Sequence, residues 1–335
     1  MDTPLIYLAL APELVHELSL EDELPRLAGV ALVERWPGPG RPDPESVADA
    51  LRRAQVVVTG WGTPPLAELA GWTPDRFAVR LVAHTAGTVK GLLPVEALER
   101  GLAVTHANES LAEAVAEFTI GLIITGCRQA FPAATRLRAG LPRVPLARQR
   151  ELGGATVGVI GASAIGRRVL RLLAPFGPAL LLADPYCPPA TAATLGATLV
   201  PLPELLARSD VVTLHAPVTP ETLGMLGAAE FALLRDGALF VNTARGRLVD
   251  HHALLAELRA GRLDAILDVT DPTEPLPPDS PFFALENCVV LPHMAAVTSD
   301  ARRRQARYTI DEILRFLRGE PLEHAVLRAR WETMA

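Results

Sequence analysis

Three short segments late in the chain carry the side chains best suited to chemistry. Arg245 lies in residues 242–250 (NTARGRLVD), directly after an apolar run that reads as a strand. Asp268 ends the next such run, with Glu274 and Pro275 just beyond it, and Pro292-His293 closes the last. In an open α/β sheet, ligands bind outside the carboxyl ends of the strands, and all three segments fall at that edge. They offer a cation for an anionic substrate, a carboxylate and an imidazole. That set suits removal of a hydroxyl proton beside a carboxylate while a hydride leaves the same carbon. Each residue also has a plainer reading: His293 as a turn histidine, Arg245 as a loop cap, Asp268 as a strand-end aspartate.

A second signal lies upstream. Residues 156–166 (TVGVIGASAIG) read as a strand, a glycine turn and a helix start. Gly161 and Gly166 occupy the first and third places of a G-x-G-x-x-G dinucleotide fingerprint, where they allow the tight turn and the close packing of helix on strand. Ser163 holds the second place, and its side chain is expected to intrude where the backbone approaches a pyrophosphate. Asp184 ends the next strand about twenty residues on, the position of a carboxylate that takes both ribose hydroxyls. Alone, Asp184 reads equally well as a strand-end turn residue. Pro185 and Tyr186 follow, with no neighbouring Arg to neutralise a 2′-phosphate, so NAD(H) is favoured over NADP(H).

The elements that must position these groups form two alternating series. Runs at 5–9, 30–34, 56–59, 81–83 and 102–105 read as strands, with helices at 44–54 and 94–100, each with Pro at its first position. Ser110 and Glu113 suggest a capping box. Leu111, Val115, Phe118 and Leu122 then give a helical stripe long enough to bridge two domains. Residues 138–152 read as an exposed connection. A second series has strands at 156–160, 179–183, 197–200, 211–214, 238–241, 265–269 and 289–291. A last helix from about 299 to 318 stops at Gly319, and its stripe of Ala306, Ile310, Ile313 and Leu317 must pack on something already built. The expected class is α/β, with parallel sheets covered on both faces.

Composition narrows the function. At 335 residues the chain exceeds one simple core, and 49% hydrophobic residues exclude disorder. A net charge of -6 argues against a nucleic-acid partner. No run of ~18 apolar residues lacks a Pro or a charge and the N-terminus has no basic region, so the expectation is no membrane span, no signal peptide and a cytoplasmic protein. Lys90 is the single Lys among 32 basic residues. Val89 precedes it, which excludes a P-loop. Cys127, Cys187 and Cys288 fit neither a zinc pair nor a disulfide framework and read as reduced buried thiols. No metal site is expected.

With these motifs in place, the chain closely resembles the D-isomer-specific 2-hydroxyacid dehydrogenases. The matching pieces are residues 157–166, 210–217 (DVVTLHAP) with Thr222, 242–250, 267–269 and Pro292-His293, spanning about residues 80–318. The resemblance implies two domains. A doubly wound Rossmann cofactor domain (108–297) is inserted in a smaller flavodoxin-like α/β substrate domain (1–107 and 298–335). It also implies a homodimer built through the cofactor domains. By that resemblance Arg245 binds the substrate carboxylate, and His293 is the acid/base. Glu274 pairs with the imidazole, favours its charged form and orients it, and Asp268 lies by the nicotinamide. Ala86, Gly87 and Thr88 would present N–H groups to the carboxylate. Ala164 and Ile165 would offer theirs to the pyrophosphate. His215, Ala216 and Pro217, with Thr243 and Ala244, would line the nicotinamide ribose.

Several positions depart from the family pattern. Glu274 stands six residues after Asp268 where five is usual, which puts Thr273 in the expected place and leaves Asp271 as an alternative partner for His293. Val89 replaces a second Gly and is expected to narrow or reshape the carboxylate pocket. Leu291 replaces a Thr. His251 and His252 read as surface residues, and His84 and His106 as structural strand-end histidines that could line a cleft. The leading expectation is a D-2-hydroxyacid dehydrogenase working mainly as a 2-ketoacid reductase. The alternative is a dinucleotide-sensing binding protein or corepressor of the same fold, and related chemistry on formate or phosphite shares that fold.

Overall fold

A computed structural model describes residues 3–331. It divides into two compact units: one takes the chain through Leu111 and again from Val297, and the other is Ala112–Ala296.

The smaller unit begins with β1 (Leu5–Ala9), α1 (Pro12–Glu17), α2 (Leu20–Glu23), β2 (Leu32–Arg35), α3 (Pro44–Arg53) and β3 (Val56–Thr59), followed by β4 (Leu81–His84), α4 (Val95–Glu99) and β5 (Ala103–His106). All pairings among these strands are parallel, in the order β2-β1-β3-β4-β5, the flavodoxin-like sequence. β3 and β4 are buried throughout, which is why they read as continuous apolar runs. Some boundaries move for local reasons. Val30 and Ala31 donate their N–H groups back to Leu27, so β2 starts only at Leu32. Leu102 still bonds Ala97 in the turn closing α4, so β5 starts at Ala103. Asp43 caps α3 through Ser46 N, with Pro44 at its first position. Pro94, the expected first residue, is instead the extended residue flanking α4, which starts one place later at Val95.

The next helix, α5 (Asn108–Cys127), starts two residues before Ser110. Ser110 therefore lies inside the helix, and its hydroxyl donates to the Ala107 carbonyl at 2.6 Å rather than forming a capping box. Among the described residues, α5 is long and apolar enough to cross a membrane, a point that a search for uninterrupted apolar runs misses. Two-thirds of its most apolar stretch is buried, with Ala116, Ile120 and Ile123 packed against Val157, Val159 and Val241, as expected of a core helix.

The larger unit continues with α6 (Ala130–Arg138), β6 (Thr156–Ile160), α7 (Ala164–Leu173), β7 (Ala179–Ala183), α8 (Pro189–Thr194), β8 (Thr198–Leu199), α9 (Leu202–Arg208) and β9 (Val211–Leu214). It ends with α10 (Ala228–Leu233), β10 (Leu239–Asn242), α11 (His251–Arg259), β11 (Asp264–Leu267) and β12 (Cys288–Val290). Its seven parallel strands run β12-β11-β10-β9-β6-β7-β8, a doubly wound Rossmann order that reverses between β6 and β9. The three cysteines are buried and free, and burial pushes the thiols of Cys127 and Cys288 up to about 11 and about 12.

The final helix, α12 (Ser299–Arg318), is capped by Thr298 at one end and by Gly319, at φ +71°, at the other. Ala306, Ile310 and Ile313 pack against Ile6, Leu8, Val56 and Val58 of the smaller unit, while Leu317 is only half-buried. Beyond it, Ala325 bridges Thr105 antiparallel to β5.

Candidate active site

The reversal between β6 and β9 explains both glycines of the β6–α7 turn. Gly161 has φ +95°, and a Cβ there would lie 2.7 Å from Ala216 N, so the β6 exit presses on the β9 exit. A Cβ on Gly166 would lie 2.0 Å from the Gly161 carbonyl oxygen. Ser163 is under no such constraint. With φ −61° it is the N-cap of α7, and its hydroxyl accepts from Gly166 N at 3.2 Å. Its side chain is thus turned onto the helix, which corrects the expected intrusion. Ala164 and Ile165 are the first two helical residues, whose N–H groups have no partner within the helix and suit a phosphate. The Asp184 carboxylate accepts from Ala162 N (2.6 Å) and Tyr186 N (2.8 Å), which fixes it beside the turn with lone pairs to spare. Arg167, from α7, donates its Nε to the Ala162 carbonyl at 2.7 Å and brings to this turn a cation that the residues around Asp184 lack. A close-packed glycine turn, unpaired N–H groups and a fixed carboxylate fit a dinucleotide.

Along the same edge, His215 is buried. Its Nε2 pairs with Thr213 Oγ1 at 2.9 Å, and burial lowers its pKa to about 3. Its backbone N–H donates to the Ile160 carbonyl at 2.7 Å, and its buried Nδ1 has no hydrogen-bond partner. Thr222 Oγ1 donates to the Pro217 carbonyl (2.7 Å) and accepts from Thr219 N (2.8 Å), so it shapes the loop after β9. Thr243 pairs with Thr119 of α5 at 2.8 Å. Asn242 braces the next turn, accepting from Ala244 N and donating to the Arg245 carbonyl, at 3.0 and 3.1 Å.

The chemistry-bearing groups of the larger unit converge here. Arg245 is exposed on one side and crowded on the other. That crowding lowers its pKa, opposed by the Glu274 carboxylate, and an arginine stays charged. Gly246 lets its loop touch the 270–271 segment, since a Cβ would fall 2.2 Å from the Thr270 carbonyl. Glu274 Oε1 hydrogen-bonds His293 Nδ1, so the structure brings these two together despite the extra residue in the spacing. His293 has φ +54°, a backbone region that non-glycine residues seldom adopt. Asp268 is 1% exposed, and its two oxygens accept from Met294 N and Ala295 N at 2.9 Å each. It therefore clamps the turn that carries His293. Asn242, Gly246 and Arg167 are the contributors that sequence reasoning misses. Gly246 alone has a signal, a glycine inside a polar motif.

In the smaller unit, the Ala86 carbonyl accepts from Ala107 N at 2.9 Å, Gly87 is half-buried and Thr88 is exposed. Val89 is wholly buried in the core with Leu92 and Leu93, so it does not narrow a carboxylate pocket as expected. His84 is buried, pairs with Thr59 Oγ1 at 3.0 Å and has a pKa lowered to about 4, first by burial and then by His106. His106 Nδ1 accepts from Asn108 N. His251 departs from the surface expectation: its ring is half-buried edge-on to Phe282, and burial lowers its pKa, whereas His252 is exposed.

A family model for the NAD binding domain of D-isomer specific 2-hydroxyacid dehydrogenases matches residues 120–295. The chain belongs to this family. Among its relatives, a glyoxylate reductase of Korarchaeum cryptofilum is 32% identical over 86% of this chain and 87% of its own. A D-3-phosphoglycerate dehydrogenase of Methanocaldococcus jannaschii is 35% identical over 84% of this chain, which spans only 53% of that longer relative. The solved structure of the TT0316 protein from Thermus thermophilus superposes with a TM-score of 0.74 and 30% identity, covering 96% of this chain and 100% of that one.

Proposed function

We propose that the protein is an NAD-dependent oxidoreductase interconverting a D-2-hydroxy acid and a 2-keto acid, working mainly as a ketoacid reductase. The observation that carries this reading is the Glu274–His293 bond, on a turn clamped by Asp268 and beside Arg245. NAD(H), when bound, supplies or accepts the hydride at C2. Arg245 holds the substrate carboxylate, and the N–H groups of Ala86, Gly87 and Thr88 serve the same anion. With Nδ1 committed to Glu274, Nε2 of His293 is the atom that gives a proton to the carbonyl oxygen in reduction and takes it back in oxidation. Glu274 orients the ring and compensates the charge it carries when protonated.

Asp184 supports NAD(H) over NADP(H), because its carboxylate accepts ribose hydroxyls and repels a 2′-phosphate. Arg167 narrows that preference without reversing it. The exposed apolar residues Phe131, Leu137, Leu141 and Leu146 support a homodimer through the larger unit. The sensor alternative draws on Ser163, Val89 and the shifted Glu274. With a capping serine, a core valine and a glutamate on His293, no observation specifically favours it. The test is consumption of NADH or NADPH across a panel of 2-keto acids: turnover with NADH preferred supports the reading, and no turnover with any acid overturns it.

A further inference from the structure

Trp61 stands at the C-terminal edge of the smaller unit's sheet, 45% exposed. It follows β3 where the strand order reverses between β1 and β3, the point at which open α/β sheets take ligands. Gly60, just before it, packs on the exit of β4: a Cβ there would lie 2.6 Å from Thr85 Oγ1. Thr85 N donates to the Thr59 carbonyl at 2.8 Å. Trp61 and the loop carrying Ala86, Gly87 and Thr88 therefore leave the sheet from neighbouring strands, side by side.

The indole is held from below. The guanidinium of Arg302 lies 4.3 Å from its ring centroid. Arg302 is 9% exposed, and its Nε donates to Glu17 at 2.6 Å and its Nη1 to Gln305 Oε1 at 3.0 Å. Gln305, fully buried, donates its Nε2 to the Thr85 carbonyl at 2.8 Å. One chain of contacts thus runs from the backbone just ahead of the substrate loop to the underside of an exposed aromatic face. Burying a guanidinium is costly even when it is paired, and ordinary core packing does not require it. What the network achieves is a fixed indole next to a loop that presents N–H groups.

We propose that Trp61 is a specificity-determining residue, an apolar wall for the substituent of the 2-keto acid, and that the preferred substrates carry a hydrophobic rather than a second charged group. This rests on the assignment of Ala86, Gly87 and Thr88 to the substrate carboxylate. The Arg302 cation is already committed to Glu17 and Gln305. Arg41, whose side chain lies against Gly62, brings another cation to this edge, so the test includes acidic substrates.

The experiment measures kcat/KM with NADH for glyoxylate, 4-methyl-2-oxopentanoate, phenylpyruvate and 3-phosphohydroxypyruvate, using wild type, Trp61→Ala, Trp61→Phe and Arg41→Ala. Wild type should prefer the two apolar acids. In Trp61→Ala the ratio of either apolar acid to glyoxylate should fall ~10–100-fold, the worth of burying one large apolar group. Trp61→Phe should restore most of that ratio. Turnover whose ratios ignore Trp61, or a preference for 3-phosphohydroxypyruvate that Arg41→Ala abolishes, overturns the proposal while leaving the dehydrogenase reading intact. No turnover on any acid overturns both.

Discussion

His293 Nδ1 is hydrogen-bonded to Glu274 Oε1, while the backbone just after His293 hangs from the buried carboxylate of Asp268. The imidazole is thus fixed at both its ring and its main chain, and Nε2 remains for substrate. Glu274→Gln keeps the shape and removes the charge. It should lower kcat for reduction ~10–100-fold with little change in NADH affinity, as for a group that supports an acid/base. Rapid kinetics with a titration of NADH fluorescence checks both numbers.

Gly246 makes a sharper structural prediction. Its backbone lies against the Thr270 carbonyl, so Gly246→Ala must push the 270–274 segment away from Arg245. Activity should fall by an order of magnitude or more, while Tm drops by only a few degrees. Wild-type activity in a folded Gly246→Ala variant would show that this close approach does not position the site.

Ser163 is expected to behave as a helix cap. Ser163→Ala should destabilise the protein by about 1 kcal/mol and Ser163→Gly by only a few tenths. Neither should tighten NADH binding, because the hydroxyl faces Gly166 N rather than the pyrophosphate side. Chemical denaturation and calorimetry test the two halves separately.

Acid should weaken the fold through its buried histidines. His84 titrates at about 4 and His215 at about 3, both depressed from 6.5 by burial. Between pH 6.5 and 4 the unfolded chain binds protons that the folded one refuses, so stability falls as pH drops through that window and is flat above it. His84 alone accounts for a loss on the order of 3 kcal/mol. The urea midpoint should decline from pH 7 to 4.5, and His84→Gln should flatten that decline.

How far the amino-acid sequence discloses this arrangement depends on the physics at each position. Gly161 and Gly166 are legible because backbone presses on backbone there and admits no Cβ. Strands buried on both faces, such as residues 56–59, read as apolar runs. The helices at residues 12–17 and 20–23 are too short to display a helical period. Ser163 looks obstructive in sequence because the direction of its side chain follows from φ, which composition does not reveal. The Arg302–Trp61 stack and the approach of Arg167 to the turn beside Asp184 unite residues from separate elements, and no local pattern signals them.

The most direct test compares wild type with His293→Gln for NADH consumption on the ketoacid panel, with calorimetry of NADH binding alongside. Wild type should turn over at least one 2-keto acid, and His293→Gln should lose ~10²–10⁴-fold in kcat, with NADH bound equally well by both. Tight NADH binding by a wild-type protein that consumes no cofactor with any acid would contradict the dehydrogenase reading.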